Sequence, residues 1–132
     1  MFRLKVVTPH RIFFEAALKT LVVRGIEGDL AIMKGTSPLL TPTRISVATL
    51  YFEDGTKKLA ALGRGYIAVD QDGATLVTES AEWPEDIDVA RAEEARARAE
   101  AYLEKKDGNI DYERARIALA KAINRINAAG RK

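Results

Sequence analysis

The residues whose types and spacing could do chemistry are cations in the last third of the chain. Arg91 and Arg98 stand seven apart in the stretch ARAEEARAR, two turns of a helix. Arg114, Lys121 and Arg125 recur further on, again at helical spacing. An arginine's planar fork donates two parallel hydrogen bonds, so a convergence of Arg91, Arg98 and Arg125 could seat a phosphate group. The same side chains could instead be solvated or paired with Glu94 and nearby carboxylates, each pair worth about 0.3–0.5 kcal/mol. The spacing leaves both readings open.

Other chemistries find little support. The chain has no cysteine, which removes disulfides and thiol chemistry. Its one histidine, His10, rules out a histidine-rich metal site and has no visible partner as a general base. Ser37 precedes Pro38 without the G-x-S-x-G elbow of a nucleophile. Gly63-Arg64-Gly65 lacks the lysine and the following helix of a phosphate loop. Glu85-Asp86 and Glu93-Glu94 read as helix-start charge, not as an acid/base pair. A formal net charge of +2 is too balanced for nucleic acid, and no aromatics interleave with the basic residues. No run approaches the ~18 apolar residues of a membrane span. The opening MFRLKVVTP lacks the apolar core of a signal peptide, so the cytosol is the expected place, with a membrane complex reached only through a partner.

Something must position those cations. Phe2, Leu4 and Val6 alternate with Arg3, Lys5 and Val7, a half-buried strand pattern. Further strands are predicted at Ile12–Glu15, Leu18–Val23 and Leu30–Met33, the second apolar enough to be buried on both faces. Ile45–Phe52 and Lys57–Leu62 flank an Asp54-Gly55 turn, and Tyr66–Val69 and Ala74–Thr78 flank Asp70–Gly73, giving two hairpins. Gly63 and Gly65 allow a bend around Arg64. Many short strands without an intervening helix predict an antiparallel β-sandwich over residues 1–83. A β unit of this size is marginal alone, so support from an assembly is expected.

From residue 84 to 132 alanine, arginine and glutamate dominate. Pro84 can open a helix, since its missing N–H would have no intrahelical partner there. The spacing predicts a first helix over Asp86–Lys106, stopped at Asp107-Gly108-Asn109 with Gly108 as a left-handed C-cap. Asp111 can cap a second helix running to about Ala128. The short connection makes an antiparallel two-helix hairpin, so the fold class is α+β. At 100° per residue, Asp88, Ala92, Ala95, Ala99 and Tyr102 share one face. Tyr112, Ala115, Leu119, Ala122 and Ile126 form the facing stripe. Alanine favours helix but buries little area, so the helices form readily while their packing stays weak, which suits a movable arm. Trp83, beside Pro84, is expected to pack at the seam between the two units.

Ile87-Asp88-Val89-Ala90-Arg91-Ala92, followed by Arg98-Ala99-Glu100, resembles the I/L-D-x-x-R-A segment of the epsilon-subunit family of bacterial F-type ATP synthases. Val7-Thr8-Pro9, Glu27-Gly28-Asp29-Leu30, Gly35-Thr36-Ser37-Pro38-Leu39-Leu40-Thr41 and Gly63-Arg64-Gly65-Tyr66 follow in that family's order. The resemblance spans nearly the whole chain. It implies a non-catalytic central-stalk subunit with no required cofactor. The sandwich would bind the gamma subunit and the c-ring, coupling ring rotation to the catalytic head. The hairpin would either fold on the sandwich or extend toward the alpha and beta subunits and inhibit ATP hydrolysis. The expected location is peripheral, on the cytoplasmic face of the bacterial inner membrane, with no direct membrane or nucleic-acid contact. Some members bind ATP as a regulatory ligand in the folded-down state. The matching positions are Glu82, Ile87, Asp88, Arg91, Arg98 and Arg125, with Lys121 as the seventh position of the site. Lys121 replaces an arginine of the well-characterised ATP binders, keeping the charge and losing the bidentate fork. Asp29, Thr36 and Ser37 fall on the side expected to meet the c-ring, although many members carry histidine where Thr36 stands.

The competing reading is a free-standing ATP sensor whose hairpin closes on nucleotide. ATP binding by the isolated chain, without any assembly partner, would favour it.

Overall fold

The computed structural model describes residues 1–105 and 111–130. Ten strands come first: β1 (Phe2–Val7), β2 (Ile12–Leu18), β3 (Thr20–Arg24), β4 (Asp29–Met33), β5 (Leu39–Thr43), β6 (Ser46–Tyr51), β7 (Lys57–Leu62), β8 (Gly65–Asp70), β9 (Gly73–Thr78) and β10 (Ala81–Glu82). A 3₁₀ turn over Pro84–Asp86 leads into α1 (Val89–Glu104) and α2 (Tyr112–Gly130).

The strands form two five-stranded sheets, ordered β2-β1-β9-β8-β5 and β10-β7-β6-β3-β4. Leu4, Leu18, Leu21, Val23, Leu50 and Ile67 fill the space between them and are almost completely buried. The alternation read from the sequence in the first strand supplies its share, Phe2, Leu4 and Val6, because successive strand residues point to opposite faces. All pairings are antiparallel except β1 with β9, which run parallel and join the two ends of the sandwich chain. That pairing is non-local, so no turn signal announces it.

Several boundaries move. Leu18 closes β2, and β3 starts at Thr20. Val22 is half-buried where burial on both faces was expected, because the outer face of its sheet is only partly covered. Pro42 lies inside β5, which it tolerates because β5 is an edge strand. The two-residue β10, unannounced in the sequence, pairs with the end of β7.

The first helix begins later than Asp86. Pro84 starts a 3₁₀ turn, Ile87 then returns to extended backbone, and Asp88 becomes the N-cap. Its carboxylate accepts a hydrogen bond from the Arg91 backbone N–H at 3.1 Å. Ile87 is buried against Ala61 and Ala128. Asp111 caps α2 as expected, accepting from the Arg114 N–H at 3.0 Å. Lys106 and the predicted stop at Asp107-Gly108-Asn109 lie outside the described residues.

The helices pack on each other, burying Ala92 and Ala99 against Ala115 and Ala122. The alanine seam is therefore as the helical spacing implied, with Tyr102 and Tyr112 largely exposed at its open end. α2 also lies on the outer face of β6 and β7, where Ala128 and Ala129 meet Ala61, Val47 and Ile87. Trp83 holds the exit from the sandwich, stacked on Phe13 with centroids 4.4 Å apart and edge-on to Phe14. Lys58 sits over its indole at 5.1 Å.

Candidate functional site at the arm–sandwich seam

α2 presents Lys121 and Arg125, one helical turn apart, to the last strand segment of the sandwich. Arg125 meets Glu82 with its full fork: Nε donates to Oε1 at 2.7 Å and Nη2 to Oε2 at 3.0 Å. Lys121 Nζ lies 3.1 Å from Glu79 Oε1. Between them, the Asn124 amide donates to the Ser46 carbonyl at 2.9 Å and reaches the Leu62 carbonyl at 3.5 Å. These carbonyls end strands that α2 crosses, so Asn124 satisfies backbone that the helix would otherwise desolvate.

Glu79 gathers three donors on one oxygen. Besides Lys121, its Oε1 accepts from the Arg64 backbone N–H at 3.0 Å and from Arg64 Nε at 3.4 Å. Burial pushes the carboxyl up, but the Arg64 N–H, the Lys121 and Arg64 hydrogen bonds and the Lys121 charge together hold it below the usual carboxylate range. Gly63 makes room for it: a Cβ there would lie 2.5 Å from Glu79 Cγ.

The positions expected to seat a phosphate are thus distributed. Lys121 and Arg125 face sandwich carboxylates, and Glu82 is the partner of Arg125. Asp88 uses its carboxylate as a cap, and Ile87 is buried beneath α2. Arg91 and Arg98 are exposed and make no ion pair among the described residues. Arg98 lines a groove of about 380 Å³ between the helices, with Tyr102, Asp111 and Arg114. Arg91 and Arg125 do not line it. Glu79 and Asn124 were absent from the sequence reading. Neither belongs to a motif, and only the crossing of α2 over the strand ends reveals them.

The other expected contact residues also separate. Asp29 opens β4 and is paired with Arg24 at 3.2 Å. Thr36 and Ser37 follow the far end of β4, where Thr36 N–H donates to the Met33 carbonyl and its hydroxyl accepts from the Met33 N–H. Four strand steps, roughly 13 Å, lie between Asp29 and Met33. His10 is exposed in a loop. Among the described residues no group of His, Asp and Glu could hold a metal, and no helix is long and apolar enough to cross a membrane.

A β-sandwich platform with a two-helix arm clasped along its flank defines a class of two-part subunits. Residues 1–84 match the family described as ATP synthase, Delta/Epsilon chain, beta-sandwich domain, and residues 85–130 match its long alpha-helix domain. The chain belongs to this family, that of the epsilon chain, a non-catalytic subunit of ATP synthase. It is 43% identical to the ATP synthase epsilon chain of Alkaliphilus metalliredigens over 131 residues, covering 99% of this chain and 97% of the relative. It is 40% identical to that of Syntrophomonas wolfei, covering 97% and 93%. The fold is also that of a chain in the Euglena gracilis mitochondrial ATP synthase, with a TM-score of 0.84 at 17% identity, covering 99% of this chain and 81% of that one. A chain of the Tetrahymena thermophila mitochondrial central stalk and c-ring gives 0.67 at 11% identity, covering 97% and 96%.

Proposed function

We propose that this chain is a central-stalk subunit that seats the gamma subunit on one sheet and carries a regulatory arm on the other. The observation that carries this reading is an apolar row across the outer face of the β2-β1-β9-β8-β5 sheet. Pro42, Tyr66, Val77, Val7 and Ile12 stand side by side in register on the five strands. Tyr66 is 46% exposed, Ile12 52% and neighbouring Leu40 72%. α2 packs on the opposite sheet, and α1 packs on α2. A continuous apolar stripe left open on a monomer suits a permanent partner.

The c-ring contact is assigned to the turn bearing Asp29, where Ile26 is 54% exposed. Thr36 and Ser37, at the other end of β4, form a second contact patch. In the assembly the subunit lies on the cytoplasmic face of the bacterial membrane and touches the bilayer only through its partners. The arm regulates ATP hydrolysis by leaving the sandwich and offering its cations to the alpha and beta subunits. ATP is a regulatory ligand of the docked arm, taken by Arg91 and Arg98 together with Lys121 and Arg125 once these leave Glu79 and Glu82. A ligand shifts such an arm only by its differential affinity for the two positions, and a seat spanning both helices exists only when they are packed.

The test is reconstitution with purified gamma subunit under native conditions. The chain should form a stable one-to-one complex on gel filtration. A chain that ignores gamma yet binds ATP alone would instead support a free-standing nucleotide sensor.

A further inference from the structure

The two carboxylates under α2 have a consequence beyond anchoring. Glu79 and Glu82 stand three residues apart on the sandwich, and Lys121 and Arg125 stand one turn apart on the arm. Each cation lies within 3.1 Å of its own carboxylate. The apolar part of the same contact is small, built from Ala61, Ala128, Ala129, Val47 and Ile87. Little area is buried there, so charge and hydrogen bonding carry an unusual share of the attachment.

We propose that Glu79 is the catch that holds the arm down when no nucleotide is present, and that it does so by occupying the lysine that a nucleotide phosphate would otherwise take. The second half of this inference rests on the nucleotide reading above; the first does not. A single ammonium has three donors but one charge, and a carboxylate and a phosphate brought to it together repel each other. Glu79 is itself fixed by the Arg64 N–H and guanidinium, so it cannot follow Lys121 toward a ligand. A phosphate that takes Lys121 therefore weakens its hold on Glu79. Docking by Glu79 and docking by nucleotide are therefore alternatives, not additive supports. Arg64 ties the catch to the β7–β8 turn, two residues before Tyr66 of the apolar row.

The chain has no cysteine, so Ala128→Cys places a unique thiol at a fully buried point of the arm–sandwich contact. Its labelling rate by a water-soluble disulfide reagent reads the fraction of time the arm is open. In this background, without nucleotide, Glu79→Gln should speed labelling about two- to fivefold, the range of a partly exposed ion pair. Glutamine keeps an acceptor for the Arg64 N–H, so the sandwich is preserved. Lys121→Met should give the same acceleration, and the double variant no more than either. With saturating MgATP the Glu79→Gln and parent rates should converge. An unchanged rate in Glu79→Gln without nucleotide overturns the catch. A difference that persists at full size while ATP slows both chains overturns the competition. If millimolar ATP alters neither chain while Glu79→Gln still labels faster, the nucleotide reading falls and the catch stands.

Discussion

Glu79 shows how one carboxylate can join three parts of a small chain. Its oxygen accepts from a turn N–H, from that residue's guanidinium and from a lysine on a different element. The lowered pKa fixes the sign of a pH effect. A carboxylate depressed in the folded state contributes fully above its unfolded pKa, about 4.3 for glutamate, and loses that contribution as pH falls through the lower folded value. Arm docking should therefore weaken in that acid window more in the parent than in Glu79→Gln. Small-angle scattering of both proteins between about pH 6 and pH 3 would register the difference as an expansion. Arg125 and Glu82 add a bidentate pair that is about seven-tenths buried on both sides, with side-chain exposures of 27% and 31%. Partial burial leaves such a pair less screened than the exposed Arg116 and Glu113, at 62% and 71%.

At the scale of elements, the junction sets how the chain passes from sandwich to arm. Pro84 and Ile87 are buried while Glu85, Asp86, Asp88 and Val89 are exposed, so the connection is a short 3₁₀ turn pinned at both ends. Asp88 then starts α1 by capping it. Asp88→Ala should cost α1 about 1 kcal/mol, seen as a lower thermal midpoint of helical circular dichroism while the sheet signal holds. Among the sandwich glycines, Gly65 leaves the least room for a side chain. A Cβ there would lie 1.8 Å from the Val77 carbonyl oxygen, in the pairing of β8 with β9. Gly65→Ala should destabilise the whole domain by about 1–3 kcal/mol in urea unfolding, because strand backbone, unlike a side-chain tip, cannot yield.

The whole molecule is two-sided. One sheet carries the arm on β6 and β7, and the other shows its apolar row to solvent. Those faces are separated by a packed core. Tyr66→Asp places a charge in the middle of the row without touching the interior. It should weaken gamma binding by about 2 kcal/mol or more, measured by calorimetry, and leave the melting temperature of the isolated chain nearly unchanged. A loss of fold instead of binding would show that the row serves the sandwich and not a partner.

The sequence by itself determined the two-part plan. Strand alternation placed Leu4 and Val6 inside, Asp111 marked a helix start, and alanines at helical spacing marked the seam. These are local signals, written in periods of 2 and 3.6 residues. Tertiary structure alone decided the parallel pairing of β1 with β9, the short strand β10 and the ion pairs of Lys121 and Arg125. Each joins residues more than forty positions apart except Ala81 and Glu82 with β7, which lie about twenty from their partners. Glu79 was silent in the sequence for the same reason. A carboxylate becomes a catch only when folding brings a distant cation to it, and no local pattern encodes that meeting.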